Sequence, residues 1–278
     1  MEREAEKNDY AMKVKKIAVI GAGNMGGAIV RGICKSQQDN RGVWVSNPTM
    51  EKLQKLAGEC PGLQTTQFNQ YAARDAEIVI LAVKPWLLKG VIDELLPVLD
   101  LSRQAIVSIA GGVGLDTLDK MIGAKNGRRP VLFHVIPDTA ISVGRGMTFI
   151  SSLRAEGTPF EAEVSEIFAT MGSVAVIEER LMNAATALSS CGIAYAFKYI
   201  QACVQAGVEL GFRPADALRY VTQTVDGAVA LLQHNGDMPQ EEIDRVTTPG
   251  GMTIRGINEL DHRGFTSAVI KGILKPLE

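Results

Sequence analysis

A strand-like pattern that runs directly into a glycine-rich turn constrains this chain more than any other feature. Residues 15–20 read Lys-Lys-Ile-Ala-Val-Ile and lead into Gly21-Ala22-Gly23-Asn24-Met25-Gly26, which a helix-like run follows. In such a unit Gly21 permits the tight turn, Gly23 leaves room for a pyrophosphate, and Gly26 allows the helix to pack closely on its strand. A second strand at residues 42–45 completes a βαβ pattern. The motif predicts dinucleotide binding at Gly21, Gly23, Asn24, Met25 and Gly26, with a purely structural βαβ unit as the alternative.

The end of the second predicted strand bears on which dinucleotide is bound. A carboxylate about 20 residues beyond the glycines binds the ribose diol and repels a 2′-phosphate. This chain has Ser46-Asn47-Pro48-Thr49 there, with small polar side chains and no acid. Because Ser46 and Asn47 can donate hydrogen bonds to a phosphate, the sequence favours NADPH as cofactor, with NADH as the alternative.

The composition limits the classes of partner. The chain has 278 residues, of which 46% are hydrophobic, and a formal net charge of −2. Nucleic-acid and membrane-surface partners favour a clustered basic excess, so this charge argues against both. No apolar run reaches about 18 residues, so no segment is expected to span a bilayer. The charged residues 1–14 lack the apolar core of a signal peptide and are expected to form a loose tail.

The cysteines and histidines show no metal-binding pattern. The chain has four cysteines and three histidines, which are scattered and include no CxxC pair. No metal site is therefore predicted. The thiols are expected to be reduced, which favours a cytoplasmic location.

Strand-like and helix-like runs alternate through the first part of the chain. The strand-like runs cover residues 77–83, 104–110, 130–135, 147–150 and 173–177, and helix-like stretches such as 86–99 and 160–171 lie between them. This rhythm predicts an α/β fold, with a doubly wound, mainly parallel sheet of Rossmann type over residues 15–178. Beyond it the sequence is alanine-rich with helical spacing, which predicts an all-α domain over residues 179–278. Because this domain is apolar on more than one face, it is expected to pack against a second copy of the chain.

Distinctive turns follow three of the predicted strands. Because a ligand of a doubly wound sheet lies beyond the carboxyl ends of the strands, each turn is a candidate for contact with a nicotinamide and its ribose. Proline and glycine also punctuate strand ends without any ligand, and this alternative stays open for each turn. The candidate residues are Ala82, Val83, Lys84, Pro85, Ala110, Gly111, Gly112 and Pro137.

A second glycine-rich turn lies far from the first, at residues 247–254. It reads Thr-Thr-Pro-Gly-Gly-Met-Thr-Ile and opens onto a helix-like run. The first N–H groups of a helix lack intrahelical partners and carry partial positive charge, so this turn can bind a small carboxylate. The alternative is a helix start without a ligand, with Thr248 as the N-cap and Pro249 at the first helical position. The candidate substrate-binding residues are Thr248, Gly250, Gly251, Met252 and Thr253.

Taken in order, these motifs resemble those of the Δ1-pyrroline-5-carboxylate reductase family. The resemblance covers nearly the whole chain from residue 15 and rests above all on Thr248-Pro249-Gly250-Gly251-Met252-Thr253, which is similar to the family's SPGG-x-T signature. It implies NAD(P)H-dependent reduction of 1-pyrroline-5-carboxylate to L-proline, the last step of proline biosynthesis. It also implies a Rossmann domain and a helical domain that interlocks in a homodimer, often assembled further into decamers. By the same resemblance, Thr253 is the catalytic residue that hydrogen-bonds the ring nitrogen, and the amides of residues 251–253 hold the substrate carboxylate.

Two segments depart from the family's pattern. Ile136-Pro137-Asp138-Thr139-Ala140 stands where the family usually reads MPNTP, which puts a carboxylate beside the expected nicotinamide site and predicts weaker nicotinamide binding. Ser189-Ser190-Cys191-Gly192-Ile193-Ala194-Tyr195 stands where the family reads SGxGPAY, which removes a glycine and a proline at the start of a central helix. The second departure is expected to leave the fold intact, and it bears on which imine is the substrate.

Two other functions remain as alternatives. β-Hydroxyacid dehydrogenases have a similar two-domain layout and use a lysine and an asparagine one helical turn apart. Here Ala202 follows Lys198 by one turn, so Lys198 is expected to be a helix-surface residue. A noncatalytic dinucleotide-binding protein is the second alternative, because Asp138, Ser190 and Ile193 depart from the family's pattern.

Overall fold

The computed structural model describes residues 16–36 and 39–278. The loose tail expected over residues 1–14 lies outside the described residues. The chain divides into two compact units between Thr186 and Ala187.

The first unit is built on one mixed sheet with helices between its strands. The strands are β1 Ile17–Ile20, β2 Val43–Ser46, β3 Gln64–Thr66, β4 Ile78–Leu81, β5 Ala105–Ser108, β6 Val131–Pro137, β7 Gly146–Leu153 and β8 Gly172–Val176. The helices are α1 Asn24–Ser36, α2 Met50–Glu59, α3 Asn69–Ala73, α4 Leu88–Leu95, α5 Leu115–Ile122, α6 Phe160–Ala169 and α7 Met182–Ala185. The strand order is β3-β2-β1-β4-β5-β6-β7-β8, and every neighbouring pair is parallel except β6 and β7. The predicted α/β fold of Rossmann type is confirmed.

The central strands are buried on both faces, as their continuous apolar sequences require. Every residue of β1 and β4 is buried. Val19 of β1 and Ile29 of α1 belong to one core layer. Ala18 of β1 and Leu88 of α4 belong to the other. Full burial of each large aliphatic side chain contributes about 1.5–3 kcal/mol. This packing fixes β1, whose carboxyl end leads into the glycine turn, and the neighbouring strand β4.

Two features of the sheet do not follow from the sequence pattern. β3 reads Gln-Thr-Thr at the edge of the sheet and has no apolar alternation that would predict a strand. β7 runs antiparallel to β6 because residues 138–145 form only a short connection, whereas a parallel return needs a crossover of a dozen or more residues.

The second unit is all-helical, with α8 Gly192–Glu209, α9 Pro214–Asn235, α10 Pro239–Arg245, α11 Met252–His262 and α12 Phe265–Leu274. Its start lies eight residues beyond the boundary at 178 that the sequence predicts, because the short α7 still packs against β7. In residues 187–278, which are all described, the buried hydrophobic residues are Ala187 and Ala217 alone. Phe197 and Leu210 are 61% and 79% exposed. Such apolar exposure marks an association surface, in agreement with the expected packing against a second copy.

Candidate active site

The glycine turn after β1 has the geometry that a bound pyrophosphate requires. Gly21 has φ +108°, and its N–H donates to the Ser46 carbonyl oxygen at 2.9 Å. A Cβ on Gly26 would collide with the Gly21 carbonyl oxygen and lie 3.0 Å from Ala82 Cβ. A Cβ on Gly23 would meet no described heavy atom within 4 Å. Gly23 therefore leaves open space at the start of α1, where the N–H groups favour an anion.

The turn opens into a cleft of about 1120 Å³ formed largely by the carboxyl ends of β1, β2, β4 and β5. Every predicted cofactor residue lines this cleft except Gly112 and Pro137. Gly112 has φ +79° and is exposed in the turn after β5, whereas Pro137 is buried at the end of β6. The structure thus brings the predicted turns after β1, β2, β4 and β5 to one place.

Other residues of the cleft wall are not among the predicted cofactor-binding residues. Asn69 begins α3, Glu94 lies near the end of α4, and Lys52 lies in the first turn of α2. Their side chains reach the cleft only because these helices pack beside the strand ends. The wall residues outside the predicted cofactor-binding set are Ala28, Pro48, Lys52, Asn69, Leu87, Gly90, Val91, Glu94, Ile109, Thr139 and Ser142.

The side chains of Ser46 and Asn47 make hydrogen bonds that connect neighbouring segments of the cleft wall. The Ser46 side chain is fully buried, and its hydroxyl donates to Asn69 Oδ1 at 2.7 Å. Asn69 Nδ2 donates in turn to Glu94 Oε2 at 2.7 Å. Asn47 Oδ1 accepts the Ala22 N–H at 3.0 Å, which ties the glycine turn to the end of β2. Asn47 Nδ2 donates to the Thr49 carbonyl oxygen at 3.4 Å, and both residues line the cleft, so their contact with a 2′-phosphate stays a prediction.

Asp138 is also committed to the backbone. Its Oδ1 accepts the Ala140 N–H at 2.8 Å, and its Oδ2 accepts the Met147 N–H at 3.2 Å. The carboxylate thereby caps the 3₁₀ turn Thr139–Val143 and ties it to β7. A carboxylate that accepts two backbone N–H groups is turned toward the protein, and the weaker nicotinamide binding expected from Asp138 stays a prediction.

The second glycine turn lies in the second unit, between α10 and α11. Gly250 has φ +70°, and the Gly251 N–H donates to the Thr248 carbonyl oxygen at 3.0 Å. A Cβ on Gly251 would collide with the Thr248 hydroxyl oxygen. Gly251 is the N-cap, and the helix begins at Met252. The alternative with Thr248 as N-cap and Pro249 at the first helical position is therefore wrong.

The start of α11 presents the groups that a carboxylate needs. Met252 is 90% exposed, and Thr253 is also exposed. Because the Gly251 N–H is used within the turn, helix geometry leaves the amides of Met252, Thr253 and Ile254 for an anion, and the first two are among the predicted substrate-binding residues.

The region of the second family departure is helical on both sides of Cys191. A π-helix spans Thr186–Ser190, and α8 then begins at Gly192. The fold thus survives the missing proline, as expected. On the same helix Lys198 is exposed and donates to Gln201 Oε1 at 3.2 Å, so it is a helix-surface residue.

The four cysteines, Cys34, Cys60, Cys191 and Cys203, are free thiols, and the first two lie close together. Burial, with a smaller contribution from Cys60, raises the pKa of the Cys34 thiol to about 12, so it stays protonated at neutral pH. Within residues 16–36 and 39–278, no three His, Cys, Asp or Glu side chains are grouped to hold a metal ion. Within these ranges, none of the helices could span a lipid bilayer.

Comparison with known families divides the chain in the same way as the fold. Residues 16–112 match the family described as NADP oxidoreductase, coenzyme F420-dependent. Residues 179–277 match the family described as pyrroline-5-carboxylate reductase dimerisation.

Solved structures resemble this fold over nearly its full length. The crystal structure of Plasmodium falciparum pyrroline carboxylate reductase with NADP bound has a TM-score of 0.84 and is 27% identical, covering 94% of this chain and 95% of that chain. The pyrroline-5-carboxylate reductase from Coxiella burnetii has a TM-score of 0.85 and is 29% identical, covering 95% and 96%.

Curated relatives are similar at the level of sequence. Pyrroline-5-carboxylate reductase 2 of Dictyostelium discoideum is 34% identical over 281 residues, covering 95% of this chain and 91% of that protein. Pyrroline-5-carboxylate reductase of Escherichia coli (strain K12) is 34% identical over 266 residues, covering 95% and 96%. With its glycine turns and its two-unit fold, this chain belongs to the pyrroline-5-carboxylate reductase family.

Proposed function

We propose that this chain reduces 1-pyrroline-5-carboxylate to L-proline with NADPH, the last step of proline biosynthesis, as a homodimer in the cytoplasm. One observation carries the proposal. A chain of this family combines a glycine turn that leaves space for a pyrophosphate at Gly23 with a second glycine turn that ends at the exposed start of α11. Both are helix N-termini that favour anions. The four free thiols support a reducing compartment.

The cleft of the first unit fits a nicotinamide dinucleotide. Gly23 leaves the space that a pyrophosphate fills, and the N–H groups at the start of α1 supply partial positive charge. Residues 82–85 and 109–111 line the cleft at the carboxyl ends of β4 and β5, where a nicotinamide and its ribose would lie. The bound cofactor supplies the hydride in this reaction.

The second unit supplies the groups that recognise the substrate. The amides of Met252 and Thr253 hold the carboxylate, and the Thr253 hydroxyl hydrogen-bonds the ring nitrogen. A cyclic imine that binds as the iminium already carries its proton, so the protein needs no acid to donate one. Orientation of two reactants contributes about 7–11 kcal/mol to catalysis, which leaves positioning as the main task of these residues.

The assignment is tested by turnover. Purified protein is expected to consume NADPH when 1-pyrroline-5-carboxylate is added, measured by loss of absorbance of the reduced nicotinamide. A β-hydroxyacid with NADP⁺ serves as the comparison and is expected to give no reaction, because Ala202 replaces the partner of Lys198. Saturable NADPH binding without consumption would instead support a noncatalytic dinucleotide-binding protein.

The preference for NADPH is supported by Lys52. The 2′-phosphate of NADPH lies near the end of β2 in this fold, where the Ser46 hydroxyl donates to Asn69 and Asn47 Oδ1 accepts the Ala22 N–H. Lys52 lines the cleft from the first turn of the next helix, and its ammonium is exposed. A charged hydrogen bond to the phosphate stabilises NADPH and has no counterpart in NADH. The Glu94 carboxylate lies in the same wall of the cleft, where Asn69 Nδ2 donates to its Oε2 at 2.7 Å.

Lys52→Ala is expected to lower kcat/KM with NADPH about tenfold and to change it less than about twofold with NADH. Lys55→Ala is the matched control, because Lys55 is an exposed lysine one turn further along α2 that does not line the cleft. Steady-state kinetics with both cofactors measure the ratio. A clear preference of the wild type for NADH would reject the proposed cofactor, and equal losses with both cofactors would reject the role of Lys52.

The homodimer is supported by the exposed apolar side chains of the second unit, and the family resemblance extends the proposal to decamers. Sedimentation velocity is expected to show a mass of at least twice one chain. Phe197→Glu places a charge on α8 at a side chain that is 61% exposed, and it is expected to lower the assembled fraction. Trp86→Glu in the first unit, at a side chain 77% exposed, is the control and is expected to leave assembly intact. A monomeric wild type would contradict the homodimer.

A further inference from the structure

The loop after β5 forms part of the wall of the cofactor cleft, and hydrogen bonds hold it at both ends. Ile109, Ala110 and Gly111 line the cleft. At the start of the loop, the Ala110 N–H donates to the Ser108 hydroxyl at 3.3 Å. Residues 110–113 then turn back, with the Val113 N–H donating to the Ala110 carbonyl oxygen at 3.3 Å.

The other end of the loop is held by the Glu179 carboxylate. Glu179 begins the 3₁₀ turn Glu179–Leu181 after β8, in the same compact unit as the loop. Its Oε1 accepts the N–H of Leu115, the first residue of α5, at 2.9 Å. A Cβ on Gly114 would lie only 2.8 Å from the same oxygen. The carboxylate therefore acts as the N-terminal cap of α5 from 64 residues away in sequence.

The Glu179 carboxylate is itself held by a buried histidine. His134 lies on β6, is 3% exposed, and places Nδ1 3.0 Å from Glu179 Oε1. His134 lies opposite Ser108 of β5 and Ser151 of β7, so a row of buried polar side chains crosses three strands beneath the loop. Among the described residues, His134 Nε2 and Glu179 Oε2 are buried without a hydrogen-bond partner.

This arrangement is costly for a purely structural contact. The buried His134 imidazole and the Glu179 side chain, which is 35% exposed, both lose hydration, and each leaves one buried polar atom unsatisfied. Apolar side chains would fill the same space at lower cost, but they could not accept the Leu115 N–H or fix the loop between Ser108 and Leu115. What this pair of residues provides is therefore a fixed position for the loop between Ser108 and Leu115.

We propose that Glu179 and His134 are positioning residues for the cofactor: His134 orients the Glu179 carboxylate, which caps α5 and holds the loop at residues 109–114 in the shape that receives the dinucleotide. The inference rests on the proposed binding of NADPH in this cleft. Neither side chain lines the cleft, so both act through the loop.

Two pairs of variants separate this role from simple stabilisation. Glu179→Ala is expected to raise the Kd for NADPH about tenfold, while Glu179→Gln keeps an acceptor for the Leu115 N–H and is expected to stay within about threefold of the wild type. His134→Leu removes the donor to Glu179 and is expected to weaken NADPH binding. His134→Asn places an amide donor near the position of Nδ1 and is expected to restore most of the affinity.

The measurements are NADPH titration by nucleotide fluorescence, thermal unfolding, and steady-state kinetics. KM for 1-pyrroline-5-carboxylate at saturating NADPH is expected to stay unchanged in every variant. Val164→Ala, a cavity variant in the core beneath α6, provides a comparable loss of stability away from the loop and is expected to leave the NADPH Kd unchanged.

An unchanged NADPH Kd in Glu179→Ala would overturn the inference, as would an equal rise in Val164→Ala. The wild type distinguishes these results from failure of the proposed function. If the wild type neither binds NADPH nor turns over the imine, the proposed function fails. If the wild type does both and the variants match it, only the positioning role fails.

Discussion

Replacing Thr253 with alanine is expected to lower kcat for 1-pyrroline-5-carboxylate about a hundredfold and to leave the Kd for NADPH unchanged. Thr253 is the second residue of α11, and its side chain is exposed. In the proposed reaction its hydroxyl is the side-chain group that orients the ring nitrogen, so its removal acts on the chemical step. The cofactor cleft lies in the other unit and does not include this residue. Steady-state kinetics and NADPH titration measure the two effects separately.

Two controls accompany this variant. Thr253→Ser keeps the hydroxyl and is expected to retain kcat within about threefold. Thr222→Ala removes another exposed hydroxyl, which donates to the Leu218 carbonyl oxygen of its own helix at 2.9 Å, and is expected to have no effect on kcat. Wild-type kcat in Thr253→Ala would remove Thr253 from the mechanism, even if the substrate is confirmed.

Replacing Gly23 with alanine is expected to raise the Kd for NADPH by about tenfold to a hundredfold with little change in Tm. The added Cβ meets no described heavy atom within 4 Å, and the backbone at Gly23 is not in the left-handed region, so the folded chain accommodates it. The methyl group instead occupies space that the pyrophosphate needs. Isothermal titration with NADPH and thermal unfolding measure the two quantities.

Two other glycines make this test specific. Gly58 lies in α2 with equally open surroundings and does not line the cleft, so Gly58→Ala is expected to bind NADPH normally. Gly26→Ala is expected to lower Tm, because its Cβ collides with the Gly21 carbonyl oxygen. If Gly23→Ala binds NADPH as tightly as the wild type, the pyrophosphate does not lie against this turn.

The sequence predicts those parts of the fold that local physical rules decide. β1 and β4 are continuous apolar runs because both faces of a parallel sheet are buried. A side chain would strain the backbone at Gly21 and would collide with the Gly21 carbonyl oxygen at Gly26. The sequence therefore predicts this turn without a structure. The sequence predicts the second glycine turn for the same reason, because a side chain at Gly251 would have no space beside Thr248.

The roles of individual polar side chains depend on tertiary packing and do not follow from sequence. Ser46 and Asp138 stand at strand ends and have suitable chemistry for ligand binding, yet the fold turns both toward internal partners. Conversely, Lys52 and Glu94 reach the cleft from helices, where nothing in the local pattern distinguishes them from surface residues. Glu179 caps a helix that begins 64 residues earlier in the chain, a contact that no local motif predicts.

Transfer of the hydride to the substrate is the most direct test of the proposed function. The wild type is incubated with 1-pyrroline-5-carboxylate and NADPH that carries deuterium on the transferred position of the nicotinamide, and proline is analysed by mass spectrometry. The account predicts L-proline with one deuterium at C5, formed in a one-to-one ratio with the NADPH consumed. Saturable NADPH binding without deuterated proline would contradict it.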